Sequence, residues 1–165
     1  MEEYLLARVR QNGWALEFVP DELRTEQMCI AAVQQNGLAI EFVPTEFKTE
    51  QLYTVAVQQN GWALEFVPNE LKTEQLCLSA VQQDGRVLQF VPAKLKTEQI
   101  YLAAVQQNGW ALEFVPDELK TREFLRDCYR VNNACLEYIP ENLHEFVTQP
   151  VGQRTKAAIR EDNDN

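Results

Sequence analysis

The stretch AVQQNGWALEFVP at 56–68 recurs letter for letter at 104–116. Close copies of it occupy most of the remaining chain. Glycine stands at 13, 37, 61, 85 and 109, with Asn133 at the next place, and proline stands at 20, 44, 68, 92, 116 and 140. The period is 24 residues. Internal repetition on that scale marks a stacked array of small units. Six copies follow, at 1–24, 25–48, 49–72, 73–96, 97–120 and 121–144, with a tail at 145–165 that ends REDNDN.

One copy, 25–48, reads TEQMCIAAVQQNGLAIEFVPTEFK. Thr25 has the short oxygen-bearing side chain of an N-cap, and Glu26 places negative charge at the positive end of a helix dipole. Met28, Ala32 and Val33 then fall on one helical face. Asn36-Gly37 predicts the end of that helix near residue 36, with Asn36 as C-cap and Gly37 in the left-handed conformation. The segment LAIEF predicts a short second helix. It ends at Val43, because a residue before proline is driven toward extended backbone. Pro44, as a first helical residue, opens one further turn.

A helix of about eleven residues is marginal alone in water, so the copies must share a core. Four columns are candidates. The first is Val9, Val33, Val57, Val81, Val105 and Tyr129. The second is Leu16, Ile40, Leu64, Leu88, Leu112 and Leu136. The third is Phe18, Phe42, Phe66, Phe90, Phe114 and Tyr138. The fourth is Leu23, Phe47, Leu71, Leu95, Leu119 and Leu143. The end copies depart from the pattern as caps should. Arg8 stands where the inner copies have alanine, and Arg126, Asp127, Arg130 and Val131 interrupt copy six. ENLHEFV at 141–147 predicts a closing helix, TKAAIRED adds a helical turn, and the last residues fray.

Apolar residues make up 45% and charged residues 24% of the 165, the balance of a soluble globular chain and of one domain. The start lacks a basic region followed by a long apolar run, and no segment approaches the length of a membrane span. The expected compartment is the cytoplasm, with export by a route without a cleaved signal left open. Net charge is −10, from 25 acids and 15 bases. Such a chain repels a phosphate backbone, which argues against nucleic acid, and it draws a basic protein surface. Four cysteines without CxxC and a single histidine, His144, give no metal site.

At this point AVQQNG-x-AL-x-F-V-P-x-x-L-K at 24-residue spacing resembles a bacterial tandem-repeat family of unknown function, whose members carry AVxQNGxAL. The resemblance covers about 144 of the 165 residues. It implies a helical array, interaction or effector and immunity contexts, and no catalytic residues. Val-Pro before the last leucine departs from the family pattern, as does threonine where aspartate is frequent.

Enzyme inventories fail in the sequence. There is no Gly-rich phosphate loop, no HExxH and no GxSxG, and Ser79 falls inside a helix. His144 falls in the capping segment, where a structural role is expected. The acids Glu17, Glu41, Glu65, Glu113 and Glu137 repeat one solvated position, whereas acid–base chemistry needs two carboxylates in unlike surroundings. The amide pairs Gln34-Gln35, Gln58-Gln59, Gln82-Gln83 and Gln106-Gln107 read in two ways. They are exposed helix formers, or they line a face that binds the main chain of an extended peptide.

Two features break the regularity. The residue after glycine runs Trp14, Leu38, Trp62, Arg86, Trp110 and Ala134, and a helix position runs Leu5, Cys29, Tyr53, Cys77, Tyr101 and Leu125. Aromatic pairs therefore alternate with small or charged ones, and the unit is two copies, 48 residues. Cys29 and Cys77 then lie two layers, about 20 Å, apart, beyond the roughly 7 Å between Cα atoms that a disulfide tolerates. Both are expected to be free thiols. Copy four also inverts the charge pattern. Arg86 replaces Trp, Gln89 replaces Glu, Ala93 replaces Asp, Asn or Thr, and Lys94 replaces Glu, which reads either as drift at a surface copy or as a docking spot for an acidic group.

The sequence therefore predicts an all-α solenoid of six helix–turn–short-helix repeats over 1–144, with a C-terminal cap and acidic tail over 145–165. The expected role is a non-catalytic protein–protein interaction scaffold without cofactor or metal. The candidate contacts are Trp62, Arg86, Lys94, Trp110, Gln58, Gln59, Gln82, Gln83, Gln106 and Gln107. The alternative is an immunity or inhibitor protein for a basic toxin or effector.

Overall fold

The computed structural model describes residues 1–150. It is all-α, with no strand among those residues. Six ten-residue α-helices repeat in register: α1 (Glu2–Gln11), α2 (Glu26–Gln35), α3 (Glu50–Gln59), α4 (Glu74–Gln83), α5 (Glu98–Gln107) and α6 (Arg122–Val131). Each is followed by a six-residue 3-10 helix, as at Gly37–Phe42, and in most copies by a one-turn 3-10 connector, as at Thr45–Phe47. In copy three the connector is a plain turn at 69–71. A short helix α7 (His144–Thr148) closes on α6, as the ENLHEFV segment predicts. The TKAAIRED turn and the final residues lie outside the described residues. The chain divides into two compact units, Met1–Ile100 and Tyr101–Asn165.

The helices start where the sequence says. Thr25, Thr49, Thr73 and Thr121 each accept a hydrogen bond from the backbone N–H three residues on, at 3.4, 3.2, 3.2 and 3.2 Å. Such a bond satisfies one of the four orphan donors of a helix N-terminus. Thr73→Ala is therefore expected to lower stability by about 1 kcal/mol in a urea titration.

The turn after each helix differs from expectation. Asn36 does end α2, but it is extended (φ −147°, ψ 113°), and its side chain accepts from Leu38 N–H at 3.1 Å. The residue is thus the C-cap of α2, its N–H donating to the Ala32 carbonyl at 2.8 Å, and its side chain also caps the start of the 3-10 helix. Asn12, Asn60, Asp84, Asn108 and Asn132 do the same. Gly37 does not occupy the left-handed region; it is glycine because a Cβ there would overlap the backbone carbonyl of Ala56 in the next copy. A Cβ on Gly61 would meet the Ala80 carbonyl oxygen at 2.7 Å. Pro44 sits at the N-cap of the connector, one place earlier than expected.

The first two core columns hold through five copies. Val9, Val33, Val57, Val81, Leu16, Ile40, Leu64 and Leu88 are buried in the first unit, and Val105 and Leu112 in the second. In copy six Tyr129 and Leu136 are only half-buried. The other two columns are not core. Phe18 is 80% exposed and Phe114 56%, while Phe42, Phe66 and Phe90 are half-buried; Leu23 is 46% exposed, and Phe47, Leu71 and Leu95 are half-buried. The reason is the tight helix. A 3-10 helix has three residues per turn, so positions i and i+3 eclipse. Gly37, Ile40 and Val43 form the inward row, and Phe42 stands off it. The buried third column is instead Val19, Val43, Val67, Val91, Val115 and Ile139, which the sequence reading used only as chain breakers before proline.

Cys29, Cys77 and Cys135 are buried free thiols, and Cys128 is buried too. Helix α3 packs against both α2 and α4, between Cys29 and Cys77. Burial pushes the thiols of Cys29 and Cys135 up to about 11, and that of Cys77 upward as well. His144 serves the cap: its Nε2 lies 2.7 Å from the Ile139 carbonyl, to which it donates.

Candidate partner-binding site

The amide pairs divide their work. In two of the four pairs the second glutamine ties neighbouring copies together. Gln35 Oε1 accepts from Gly13 N–H at 2.6 Å, and Gln83 Oε1 accepts from Gly61 N–H at 2.9 Å. Gln83 Nε2 also donates to the Val57 carbonyl at 2.8 Å, at the C-terminal end of α3 where helical carbonyls have no helical donor. In copy six Val131 takes the glutamine place, and Asn132 Nδ2 donates to the Val105 carbonyl at 2.9 Å instead. Gln83→Leu removes two bonds between copies and is expected to cost about 1–2 kcal/mol in a chemical melt. The first glutamines, Gln34, Gln58, Gln82 and Gln106, are exposed, as are Gln59 and Gln107.

In copies one and three the basic residue closing the connector also works between copies. Lys72 Nζ donates to the Phe90 carbonyl at 2.9 Å, and Arg24 Nη1 to the Phe42 carbonyl at 2.8 Å. Each supplies a donor to the last turn of the next 3-10 helix. The basic residue that ends each of the first five copies, Arg24, Lys48, Lys72, Lys96 and Lys120, is a signal of this, but its role needs the neighbour to be visible.

The charge break in copy four is a knit cluster. Trp62 Nε1 donates to Asp84 Oδ2 at 3.0 Å. Arg86 grips the same carboxylate, from Nε to Oδ1 at 3.0 Å and from Nη2 to Oδ2 at 2.7 Å. The guanidinium lies 5.3 Å from the centre of the Trp62 ring, a cation–π distance, and Trp62 meets Phe90 edge to face at 5.8 Å. The Arg86 hydrogen bonds hold the Asp84 carboxyl well below the usual carboxylate range. Asp84 replaces asparagine only in this copy, so the Asp–Arg pair comes as a set and Asp84 offsets part of the positive charge that Arg86 brings. Lys94 is exposed on the following connector. Trp110, in the second unit, is half-buried against Phe114 with ring centres 5.0 Å apart.

Helices α3 and α4 enclose a half-open groove of about 200 Å³. Glu50, Thr54 and Gln58 descend one wall, Gln75 and Ser79 the other, and Tyr53, Leu71 and Leu76 add apolar surface. Gln58 is the candidate glutamine that reaches it. Tyr53 and Ser79 belong to the groove, although the sequence alone shows only that Tyr53 alternates with cysteine and that Ser79 falls inside a helix. Their signal was present, since Tyr53 alternates with cysteine and Ser79 is the only serine. The acids Glu17, Glu41, Glu65, Glu113 and Glu137 are all exposed, one repeated surface position.

No helix among the described residues is long and apolar enough to cross a membrane. Among the same residues no group of three or more His, Cys, Asp or Glu side chains is placed to hold a metal ion.

Comparison with curated proteins and with solved structures returns no match. A family model described as a domain of unknown function, DUF4116, matches residues 2–48, 50–96 and 97–144. Each block contains two of the 24-residue copies, one with tryptophan after the glycine and one without. With six helical copies filling three such blocks, the chain belongs to the DUF4116 family of tandem repeats.

Proposed function

We propose that this chain is a non-catalytic scaffold that binds a protein partner through the α3–α4 groove and the surface beside it. The observation that carries the reading is the groove. Its amide and hydroxyl groups are not consumed in joining the copies, unlike Gln35, Gln83, Arg24 and Lys72. Amides and hydroxyls both donate and accept, which suits the main chain of an extended segment. Gln82, Gln59, Trp62, Arg86 and Lys94 supply exposed or half-buried surface in the same unit, and Trp110, Gln106 and Gln107 in the other. The −10 charge favours a basic partner by long-range attraction. The same charge supports a second reading, an immunity or inhibitor protein for a basic toxin. A gene for such a toxin beside this one, with rescue on co-expression, is its test.

The groove is tested by Ser79→Arg and Gln58→Arg, which fill it from either wall. Affinity capture from the native cell with the wild-type chain identifies a partner, whose affinity is then measured with both variants. The expected result is a loss on the order of tenfold or more, with the thermal midpoint little changed. Equal affinity for all three proteins rejects the groove.

A further inference from the structure

We propose that the α3–α4 groove is one stretch of a longer trough, which takes a basic, proline-rich segment of a partner protein in polyproline II conformation. The proposal rests on the groove reading above and names the occupant. A second hollow lies between α1 and α2 in the same unit, lined by Arg10, Gln27, Ile30, Ala31, Gln34 and Gln35. Its Gln27 and Ala31 hold the repeat positions that Gln75 and Ser79 hold in the groove, and Arg10 holds that of Gln58. The two hollows are therefore one kind of cleft, two copies apart.

Helices α2 and α3, packed on each other, span the distance between them. The floor is apolar or small: Ile30 is 38% exposed, and Ala31, Thr54 and Ser79 are half-buried. Along one edge Gln34, Gln58 and Gln82 are exposed, because the bonds between copies run through Gln35 and Gln83 instead. Glu50, in the first turn of α3, lines the groove from the other edge. Glu26 and Glu74 hold the same repeat position and are exposed too. Among the described residues no ion pair engages these three acids. The edges stand eight residues apart on each helix, roughly 12 Å, room for one peptide chain.

Spacing selects the conformation of that chain. Packed helices lie about 8–10 Å apart. A β-strand presents the same face every two residues, roughly 6.6 Å, and falls out of step within one copy. Polyproline II has three residues per turn at about 3.1 Å each, a repeat of roughly 9.3 Å, so it presents the same face to every copy. It has no internal hydrogen bonds, which leaves its carbonyls free for the glutamine amides. Prolines then lie on the floor, and every third residue faces the acidic edge. One acid per copy there, in a chain of net charge −10, calls for lysine or arginine at that place. A preformed polyproline II segment also loses little freedom on binding.

Calorimetric titration of the full chain with a synthetic peptide of four Pro-Pro-Lys triplets tests the proposal. A second peptide has the same composition but adjacent lysines, so the charge is equal and the three-residue register is lost. The expected result is saturable binding of the triplet peptide, on the order of tenfold tighter than the second. Glu26→Gln with Glu50→Gln is expected to weaken it about fivefold. Glu41→Gln with Glu65→Gln makes the same charge change at exposed acids of the 3-10 helices and is expected to leave it unaltered. Equal affinity for the two peptides overturns the proposal, because plain charge attraction then suffices. So does absence of binding by either, or an equal loss in the two double variants. Each of these outcomes leaves the groove reading in place; that reading falls when the captured partner binds wild type, Ser79→Arg and Gln58→Arg alike.

Discussion

Gly37→Ala is expected to lower the stability of the chain by about 3 kcal/mol or more, near the upper end of what overpacking a well-filled contact costs. The added Cβ would overlap the Ala56 carbonyl oxygen and press the Asn60 backbone nitrogen at 3.0 Å and the Ala56 carbonyl carbon at 3.1 Å. These are backbone atoms of α3 and its cap, so no side chain can rotate away. Relief requires the two copies to separate, which opens Ile40 and Val57 to water. Copy six supplies the internal control. There Asn133 takes the glycine place and its side chain is exposed. Asn133→Ala is accordingly expected to change stability by less than about 0.5 kcal/mol. Urea titrations followed by tryptophan fluorescence and circular dichroism measure both. Similar losses at 37 and 133 would show that the glycine serves backbone conformation and not contact between copies.

Raising the pH from 9 to 11 is expected to destabilise both units, by roughly 2–3 kcal/mol for each strongly shifted thiol. Burial holds Cys29 and Cys135 protonated in the folded chain up to about 11, against an ordinary value of 9.0. Below pH 9 both states are protonated and the full stability is present. Above it the unfolded chain releases its protons first, so stability falls until the folded thiols ionise. Cys77 adds to the loss in the first unit. Tyr53 and Tyr101, raised by burial, add to it above pH 10. Lys48 and Lys72, lowered by burial, act the other way, because the folded chain then releases protons before the unfolded one. Stability measured against pH for the wild type and for Cys29→Ala separates these contributions. The variant is less stable at pH 8 but loses less between 9 and 11. An equal slope in the two proteins would mean that the Cys29 thiol is not the source.

Local order was legible because it is written in short-range chemistry. Threonine at the N-caps of α2, α3, α4 and α6, Val-Pro at the 3-10 ends of copies one to five and the valine and leucine columns need no neighbour to be read. The Phe column misleads because a hydrophobic residue in register reads as inward. The six-residue 3-10 helix turns every third residue inward, which puts Val43 in the core and Phe42 at its edge. Period alone cannot tell a 3-10 from an α-helix over five residues.

The candidate site was legible in part. Gln58 was singled out and does reach the groove, and Arg86 was singled out although Asp84 and Trp62 already hold it. Gln83 was a candidate contact, yet its amide joins Gly61 to the end of α3. These outcomes turn on contacts between residues 22 or 26 positions apart, one copy to the next.

By itself the sequence determined a repeat count, a helical unit, its capping residues and two columns of a shared core. Each of those follows from propensities and spacings inside one 24-residue copy. Tertiary structure alone decided why position 37 is glycine, that Gln35 and Gln83 are spent between copies, and that Phe18 is exposed while Phe42 is half covered. The physical reason is that a periodic sequence gives every copy nearly the same local instructions. Only the presence or absence of the next copy makes identical residues behave differently.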